Sequence, residues 1–155
     1  MQSFPTVRTD MPIIESKLRA LGLVLPEPLQ LPPGVVLPFP WVRVRGNRGY
    51  VSGHAAQNPD GSLAAPLGKV GLAVSLEQAQ HSARLTALSI LGSLKRELGD
   101  LDRVSAWLRV FGMVNSAPGF NQQPIVINGF SHNTCLPASA ARIVHSACKL
   151  FGSGL

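Results

Sequence analysis

The fold is decided by residues 75–104, SLEQAQHSARLTALSILGSLKRELGDLDRV, which carry the strongest helix signal in the chain. Ser75, followed three residues later by Gln78, forms a capping box in which each residue satisfies a free backbone N–H of the other. Apolar residues then recur at helical spacing as far as Gly99, a residue type that commonly ends a helix. The stretch therefore predicts one long helix with a single apolar face: Leu76, Ala79, Ala83, Ala87, Ile90, Leu91, Leu94 and Leu98.

The residues after this helix predict a strand that is covered on both faces. From Val104 to Val114 the sequence alternates like a strand, yet Trp107, Phe111 and Met113 make the second face apolar as well. The long helix would cover one face, and another subunit is the simplest cover for the other. Ser116-Ala117-Pro118 then predicts the opening of a further helix.

The first forty residues predict a short helix and an extended connector. Asp10 is placed to cap a helix from about Met11 to Leu21, which Gly22 would end. Prolines recur between residues 26 and 40 and exclude both regular helix and a central strand. The predicted apolar face of the helix consists of Ile14, Leu18 and Leu21.

A hairpin follows the connector. Trp41 to Arg45 alternates as a strand, residues 46–49 form a turn, and Tyr50 to Gly53 returns. Asn58-Pro59-Asp60-Gly61 has the composition of a second turn. Together with the long helix and the strand after it, this order predicts one α+β domain over residues 1–155, with helices packed on one face of a mixed sheet.

Composition limits the class of protein. Of the 155 residues, 45% are hydrophobic and only 14% charged, which argues against disorder. No apolar run approaches the roughly 20 residues of a membrane span, and the N-terminus lacks the layout of a secretory signal, so we expect a cytoplasmic protein. The net charge of +6 would suit anionic partners, but the basic residues are scattered except for Arg43, Arg45 and Arg48.

Ordered motifs between Tyr50 and Gly129 resemble the RidA (YjgF) family, also called the endoribonuclease L-PSP family. The resemblance covers about Ile14 to Phe130. The motifs are Tyr50-Val51-Ser52-Gly53, the Asp60-Gly61 turn, Gly68-Lys69-Val70-Gly71, Leu98-Gly99-Asp100-Leu101-Asp102-Arg103-Val104, Val114-Asn115-Ser116-Ala117-Pro118-Gly119-Phe120 and Gln123-Pro124-Ile125-Val126-Ile127-Asn128-Gly129, the last typical of a longer branch of the family.

The resemblance implies a chorismate-mutase-like fold, a homotrimer around a central β-barrel, and ligand pockets between subunits. It also implies hydrolysis of reactive enamines and imines such as 2-aminoacrylate, which gives a 2-keto acid and ammonia. Such an imine deaminase would need neither an organic cofactor nor a metal. Because an imine carbon is already electrophilic, the enzyme mainly has to hold the substrate carboxylate and position a water.

The same resemblance suggests the site residues. An arginine on a strand after the second helix would hold the carboxylate, and the nearest match is Arg142, within Ala141-Arg142-Ile143-Val144. A Pro-aromatic wall corresponds to Phe39 or Trp41. The pocket floor corresponds to Ser52 and Gly53, and Asn128 is a further substrate-binding position.

The segment 131–155 is an atypical tail. It holds no acidic residue, whereas the family pattern ends in a strand with an acidic residue at the active site. Natural divergence, truncation and a shifted reading frame are alternative explanations, and we favour one of the last two. Two pairs of zinc-ligand type, His132 with Cys135 and His145 with Cys148, also lie in the tail. We read these as chance pairs and the cysteines as reduced, inert thiols.

Two other functions stay open. A non-catalytic trimer of the same fold could bind a small ligand without turnover. A ribonuclease or translation inhibitor could use the arginines at positions 43, 45 and 48, although no RNA-binding aromatic motif accompanies them, so nucleic acid is not favoured as a partner. Of the histidines, His54 is the one that follows the expected pocket residues and merits a test.

Overall fold

The computed structural model describes residues 12–131 in full and, for residues 145–150, the backbone. The elements follow one another as α1 (Ile13–Ala20), β1 (Val42–Arg45), β2 (Arg48–Val51), α2 (Leu76–Leu98), a 3₁₀ turn (Leu101–Arg103), β3 (Val110–Asn115), α3 (Gln123–Ser131) and β4 (His145–Leu150). The described residues form a small α+β domain, as the sequence predicts.

Helix α2 confirms the prediction made from its capping box. The N–H of Gln78 donates to Ser75 Oγ at 3.2 Å, and the N–H of Ser75 donates to Gln78 Oε1 at 2.9 Å. Gly99 ends the helix in the left-handed conformation, with φ 76°. The buried surface differs in part from the predicted face. Ala79, Ala87, Leu91 and Leu94 are buried as predicted, the other four predicted residues are half-buried, and the helix also buries residues outside that face: Leu88, Ser89, Gly92 and Ser93.

Helix α1 is shorter than predicted and is capped from a distant part of the chain. It begins at Ile13, after Pro12, and the backbone N–H groups of Ile13 and Ile14 donate to the carboxylate of Asp102 at 2.7 and 3.0 Å. Asp10, the predicted cap, lies outside the described residues.

The predicted apolar face of α1 is correct for two residues and wrong for the third. Ile14 and Leu18 are buried, whereas Leu21 is 62% exposed because the helix has ended one residue earlier. Gly22, with φ 64°, turns the chain as expected.

The hairpin forms with a tighter turn than predicted. Strands β1 and β2 pair antiparallel, with Val42 opposite Val51 and Arg45 opposite Arg48, so that only Gly46 and Asn47 lie between them. Val42 is buried, and all three arginines of the hairpin are exposed. The connector 26–40 contains neither helix nor strand, as expected, and lies along the turn at residues 58–61.

The second strand region is shorter than the sequence predicts. Residues 104–109 are irregular, and β3 begins at Val110 and runs parallel to β4. Among the described residues the strands make two separate pairs, β1–β2 and β3–β4, where a single mixed sheet was predicted. Phe111 and Met113, on the second face of β3, are 52% and 63% exposed.

The helix predicted to open at Ser116 starts later. Residues 117–119 form a turn, in which Gly119 has φ 82° and the N–H of Phe120 donates to Ala117 O. Pro118 therefore belongs to this turn, and α3 begins at Gln123. Helix α3 packs on α2 so closely that a side chain at Gly129 would clash with the backbone of Gln80.

The core divides into two clusters at different positions along α2. One joins α1, β1 and the C-terminal half of α2, and includes Ile14, Leu91 and Leu101. The other joins β3 and α3 to the start of α2, and includes Val114 and Ile127. In the part of the chain that the structure describes, no helix is both long and apolar enough to cross a membrane.

Candidate functional site

Four of the predicted pocket residues lie together where the connector enters the hairpin. The rings of Phe39 and Trp41 meet edge to face, with centroids 5.8 Å apart. Ser52 follows β2 and binds the two residues that precede β1. Its N–H donates to Trp41 O and its hydroxyl donates to Pro40 O, each at 2.9 Å. Gly53 comes next, where an added Cβ would meet no atom within 4 Å.

His54 follows Gly53 and connects the end of the hairpin to α2 through hydrogen bonds. Its Nδ1 lies 2.7 Å from Ser52 O, and its Nε2 lies 2.8 Å from Ser93 Oγ. The indole of Trp41 lies against the imidazole, with centroids 4.8 Å apart. A carbonyl oxygen can only accept, so the neutral imidazole carries its hydrogen on Nδ1 and accepts the Ser93 hydroxyl at Nε2.

Arg96 lies one helical turn after Ser93 and completes the group. Its guanidinium donates to Ser93 Oγ at 3.2 Å and to Pro26 O at 3.0 Å. Gly92 makes room for this position, because an added Cβ there would lie 3.3–3.5 Å from Pro26 O and the two terminal nitrogens of Arg96. The two hydrogen bonds thus fix the guanidinium between α2 and Pro26, the first residue of the connector.

Some of these residues line a cavity of about 10 Å³. Its full lining is Leu29, Trp41, His54, Ala55, Gln57, Ser93 and Arg96. A volume of this size accommodates about one water molecule, and a buried water typically makes two to four hydrogen bonds. Ser93 and Gln57 are buried, at 6% and 4% exposure. The cavity is therefore small, polar on one side and adjacent to the predicted pocket wall.

The environment of His54 favours the neutral imidazole. Burial lowers the pKa of His54 below its ordinary value of 6.5, the hydrogen bond to Ser52 O raises it, and the charge of Arg96 lowers it further. Arg96 is the one charged residue among those that line the cavity. A neutral imidazole can accept a proton, which a protonated one cannot.

The other two predicted site residues lie elsewhere. Asn128 is in α3, beside Gly129, which packs against Gln80 near the start of α2. Because Gln80 and Ser93 are separated by thirteen helical residues, about 20 Å of helix lies between Asn128 and the cavity within one chain. Arg142 lies outside the described residues, three positions before β4, so its role as carboxylate partner stays a prediction.

Sequence reasoning singled out His54 but missed its partners on α2. Ser93 and Arg96 fall within the helix, where an apolar-face analysis treats polar residues as solvent-facing. A usable signal was present, since Ser89, Gly92, Ser93 and Arg96 recur at helical spacing. Such a stripe of small residues ending in an arginine indicates a second contact face on the helix.

A group of three carboxylates elsewhere has the composition of a cation site. Oxygens of Glu15, Asp100 and Asp102 lie within 4.8 Å of one another. Glu15 pairs with Lys95, and Asp102 accepts the first N–H groups of α1. The group thus joins α1 to the end of α2, which is a structural role.

The side chains of the zinc-type pairs in the tail lie outside the described part of the chain. His132 and Cys135 lie outside the described residues, and for His145 and Cys148 the structure describes only the backbone.

No protein-family model matches the chain. The solved structure of Atu1372 from Agrobacterium tumefaciens, a protein of unknown function, is 33% identical with a TM-score of 0.76, over 89% of this chain and 81% of that one. A "putative endoribonuclease" from Shewanella oneidensis MR-1 has the same fold, with a TM-score of 0.76 at 24% identity over 91% and 89% of the two chains.

A further relative is the protein TCP17 of Trypanosoma cruzi, which is 35% identical over 82 residues. That match covers 53% of this chain and only half of TCP17. The motifs between Tyr50 and Gly129, the shared α+β fold and the solved relative at 33% identity converge on one conclusion: the chain belongs to the RidA (YjgF) family.

Proposed function

We propose that this protein is a cytoplasmic deaminase that hydrolyses reactive imines and enamines of the 2-aminoacrylate class to a 2-keto acid and ammonia. The observation that carries the proposal is a water-sized cavity that Trp41 and the guanidinium-bearing Arg96 both line. The ring of Phe39 packs against Trp41 beside it, and the predicted floor residue Ser52 is bonded to Pro40. A flat, carboxylate-bearing imine needs a surface of this kind.

The chemistry requires an anchor, a water and a proton acceptor. A guanidinium can hold a carboxylate through two parallel hydrogen bonds, and it keeps its charge at all relevant pH values. The aromatic wall limits access of bulk water to a planar substrate. Such a reaction needs no metal or organic cofactor, because the imine carbon already attracts a nucleophile.

Two arginines are candidates for the anchor. The family resemblance favours Arg142, and the geometry of the described residues favours Arg96. The guanidinium of Arg96 has five N–H donors. Its hydrogen bonds to Pro26 and Ser93 use one donor on each terminal nitrogen, so the described contacts leave three donors for a ligand.

Ammonia release from freshly generated 2-aminoacrylate tests the activity. We expect the protein to accelerate release well above the buffer rate, and no acceleration by correctly assembled protein would contradict the proposal. Arg96→Gln and Arg142→Gln, compared with Arg84→Gln as a control on the same helix, would identify the anchor by a rise in KM. Tight binding of 2-oxobutyrate without turnover would instead favour the non-catalytic binding protein.

We also propose a homotrimeric assembly. Support comes from β3, where Phe111 and Met113 are more than half exposed in the single chain. An apolar strand face of this kind normally lies against another element.

RNA binding is the second candidate, and the hairpin surface favours it. Arg43 lies opposite Tyr50, and Arg45 lies opposite Arg48, so three exposed guanidinium groups and one exposed phenol share the face turned away from the core. Phosphate contacts by arginine depend strongly on salt. Cleavage of single-stranded RNA, or affinity that falls steeply between 50 and 200 mM salt, would support this function.

A further inference from the structure

Hydrogen bonds from Arg96 to Ser52 form a chain with one direction. Arg96 donates to Ser93 Oγ, and the Ser93 hydroxyl donates to Nε2 of His54, whose Nδ1–H donates to Ser52 O. The direction is fixed at both ends, because a guanidinium has no acceptor and a carbonyl has no donor.

Ser93 Oγ can accept one more hydrogen bond. The hydroxyl oxygen has two acceptor positions, and Arg96 occupies one of them. Ser93 and Gln57 both line the cavity, which has room for about one water. A water in the cavity can therefore donate to Ser93 while its own lone pair stays available.

We propose that the cavity holds the hydrolytic water and that His54, acting through Ser93, accepts the proton this water gives up when it attacks the substrate. This inference rests on the proposed deaminase function and assigns its proton relay. The motifs of the family resemblance do not include it, because Ser93 lies in α2 outside them and His54 follows the motif that ends at Gly53.

The water oxygen forms a bond to the carbon of the protonated imine, and the C=N π pair moves to nitrogen, giving a neutral amine on the same carbon. One water proton passes to Ser93 Oγ as the Ser93 proton passes to His54 Nε2. The imidazolium then returns its proton along the same path to the amine nitrogen. The C–N bond breaks, ammonia leaves, and the remaining hydroxyl loses its proton to give the keto acid and ammonium.

The surroundings suit a proton acceptor at neutral pH. Burial keeps the pKa of His54 below 6.5, so the imidazole is neutral before the reaction. The groups that face it are Trp41 and Ser52 from the hairpin and Ser93 and Arg96 from α2, and of these Arg96 alone is charged. The imidazolium that forms is stabilised by its Nδ1–H bond to Ser52 O.

His54→Gln is the decisive variant, because its amide oxygen can still accept the Ser93 hydroxyl but cannot take up a proton. For the deaminase reaction we expect kcat to fall at least about 100-fold, in the range of general base catalysis. The low-pH limb of the wild-type pH–kcat profile should disappear in the variant. Ser93→Ala should lose activity to a similar extent, whereas Ser93→Thr, which keeps a hydroxyl, should retain it. His81 is an exposed histidine of α2, and His81→Gln serves as the control.

A second measurement separates the relay from the deaminase function. Hydration of a keto acid uses the same water attack, so the wild type should accelerate ¹⁸O exchange from water into 2-oxobutyrate, and His54→Gln should lose that acceleration. Deamination with an unchanged kcat and pH profile in His54→Gln overturns the relay and leaves the deaminase function intact. If the protein shows no deamination but accelerates ¹⁸O exchange in a way that depends on His54, the relay is supported and the deaminase function is overturned. Absence of both overturns both.

Discussion

At the scale of single residues, His54 shows how burial selects a protonation state. Its two ring nitrogens are both engaged, one by a carbonyl and the other by a hydroxyl, and its ring lies against Trp41. Protonation would turn Nε2 from an acceptor into a donor and break the present arrangement with Ser93. The folded protein therefore resists charging this side chain.

Stability should depend on pH through His54. The unfolded chain protonates this residue near pH 6.5, while the folded chain does so only at lower pH, so between the two values the unfolded state binds more protons. The contribution of His54 is complete above pH 6.5 and is lost as the pH falls through its lowered folded pKa.

Denaturant unfolding at pH 7.5 and 5.5 measures this effect. We expect the wild-type midpoint to fall more than that of His54→Gln, while His81→Gln should follow the wild type. Equal pH dependence in the wild type and His54→Gln would contradict the assignment.

Residue-scale features differ in how well the sequence reveals them. Ser52 and His54 are near one another in the chain, so their proximity could be anticipated. Ser93 and Arg96 are some forty residues further on, and only the packing of α2 against the connector brings them to the same cavity. Side-chain pairing across the fold has no local signature.

At the scale of elements, α2 was predictable and β3 was not. The limits of α2 are set by local interactions, namely the capping box at Ser75 and the left-handed Gly99. Strand β3 begins later than alternation predicts, because a strand needs a partner and, among the described residues, the pairing with β4 starts at Val110. The alternation of residue types in the sequence shows which residues could form a strand, but hydrogen-bonded pairing with a second strand determines which residues do.

The contact between α3 and α2 gives an element-scale prediction. At Gly129 any side chain would clash with the backbone of Gln80, which cannot move without displacing α2. We expect Gly129→Ala to lower the free energy of unfolding by about 1–3 kcal/mol, as overpacking usually does, even though alanine favours helix.

Gly112→Ala is the comparison for this prediction. Its methyl would press on the end of the Ile127 side chain, which can change rotamer, so the loss should be smaller. Urea unfolding of both variants measures the difference, and a neutral Gly129→Ala would show that the two helices are less closely packed than described.

At the scale of the whole molecule, the second face of β3 is the observation on which the proposed trimer rests. The sequence predicted a strand with two apolar faces, and in the single chain Phe111 and Met113 lie more than half exposed. Exposed apolar area of this kind stabilises a protein only when another surface covers it. The subunit count itself has no signature in a single chain.

A charge on this face should prevent assembly. We expect the wild type to sediment as a trimer and Met113→Glu as a monomer, because a carboxylate buried between subunits without a partner is strongly unfavourable. Leu72→Glu introduces the same charge at a turn residue that is 79% exposed and should remain trimeric. Sedimentation velocity distinguishes these outcomes, and a monomeric wild type would contradict the proposed trimer.

Helix α1 is synthesised well before Asp102, the residue that caps it. A helix of eight residues has little stability alone, and the carboxylate that accepts its first N–H groups is encoded 88 residues later. At roughly 5–20 residues per second, a ribosome needs about 4–18 seconds to deliver that carboxylate. During this interval Ile14 and Leu18 have no core to enter. The beginning of the protein therefore acquires its structure late, after the long central helix has ended.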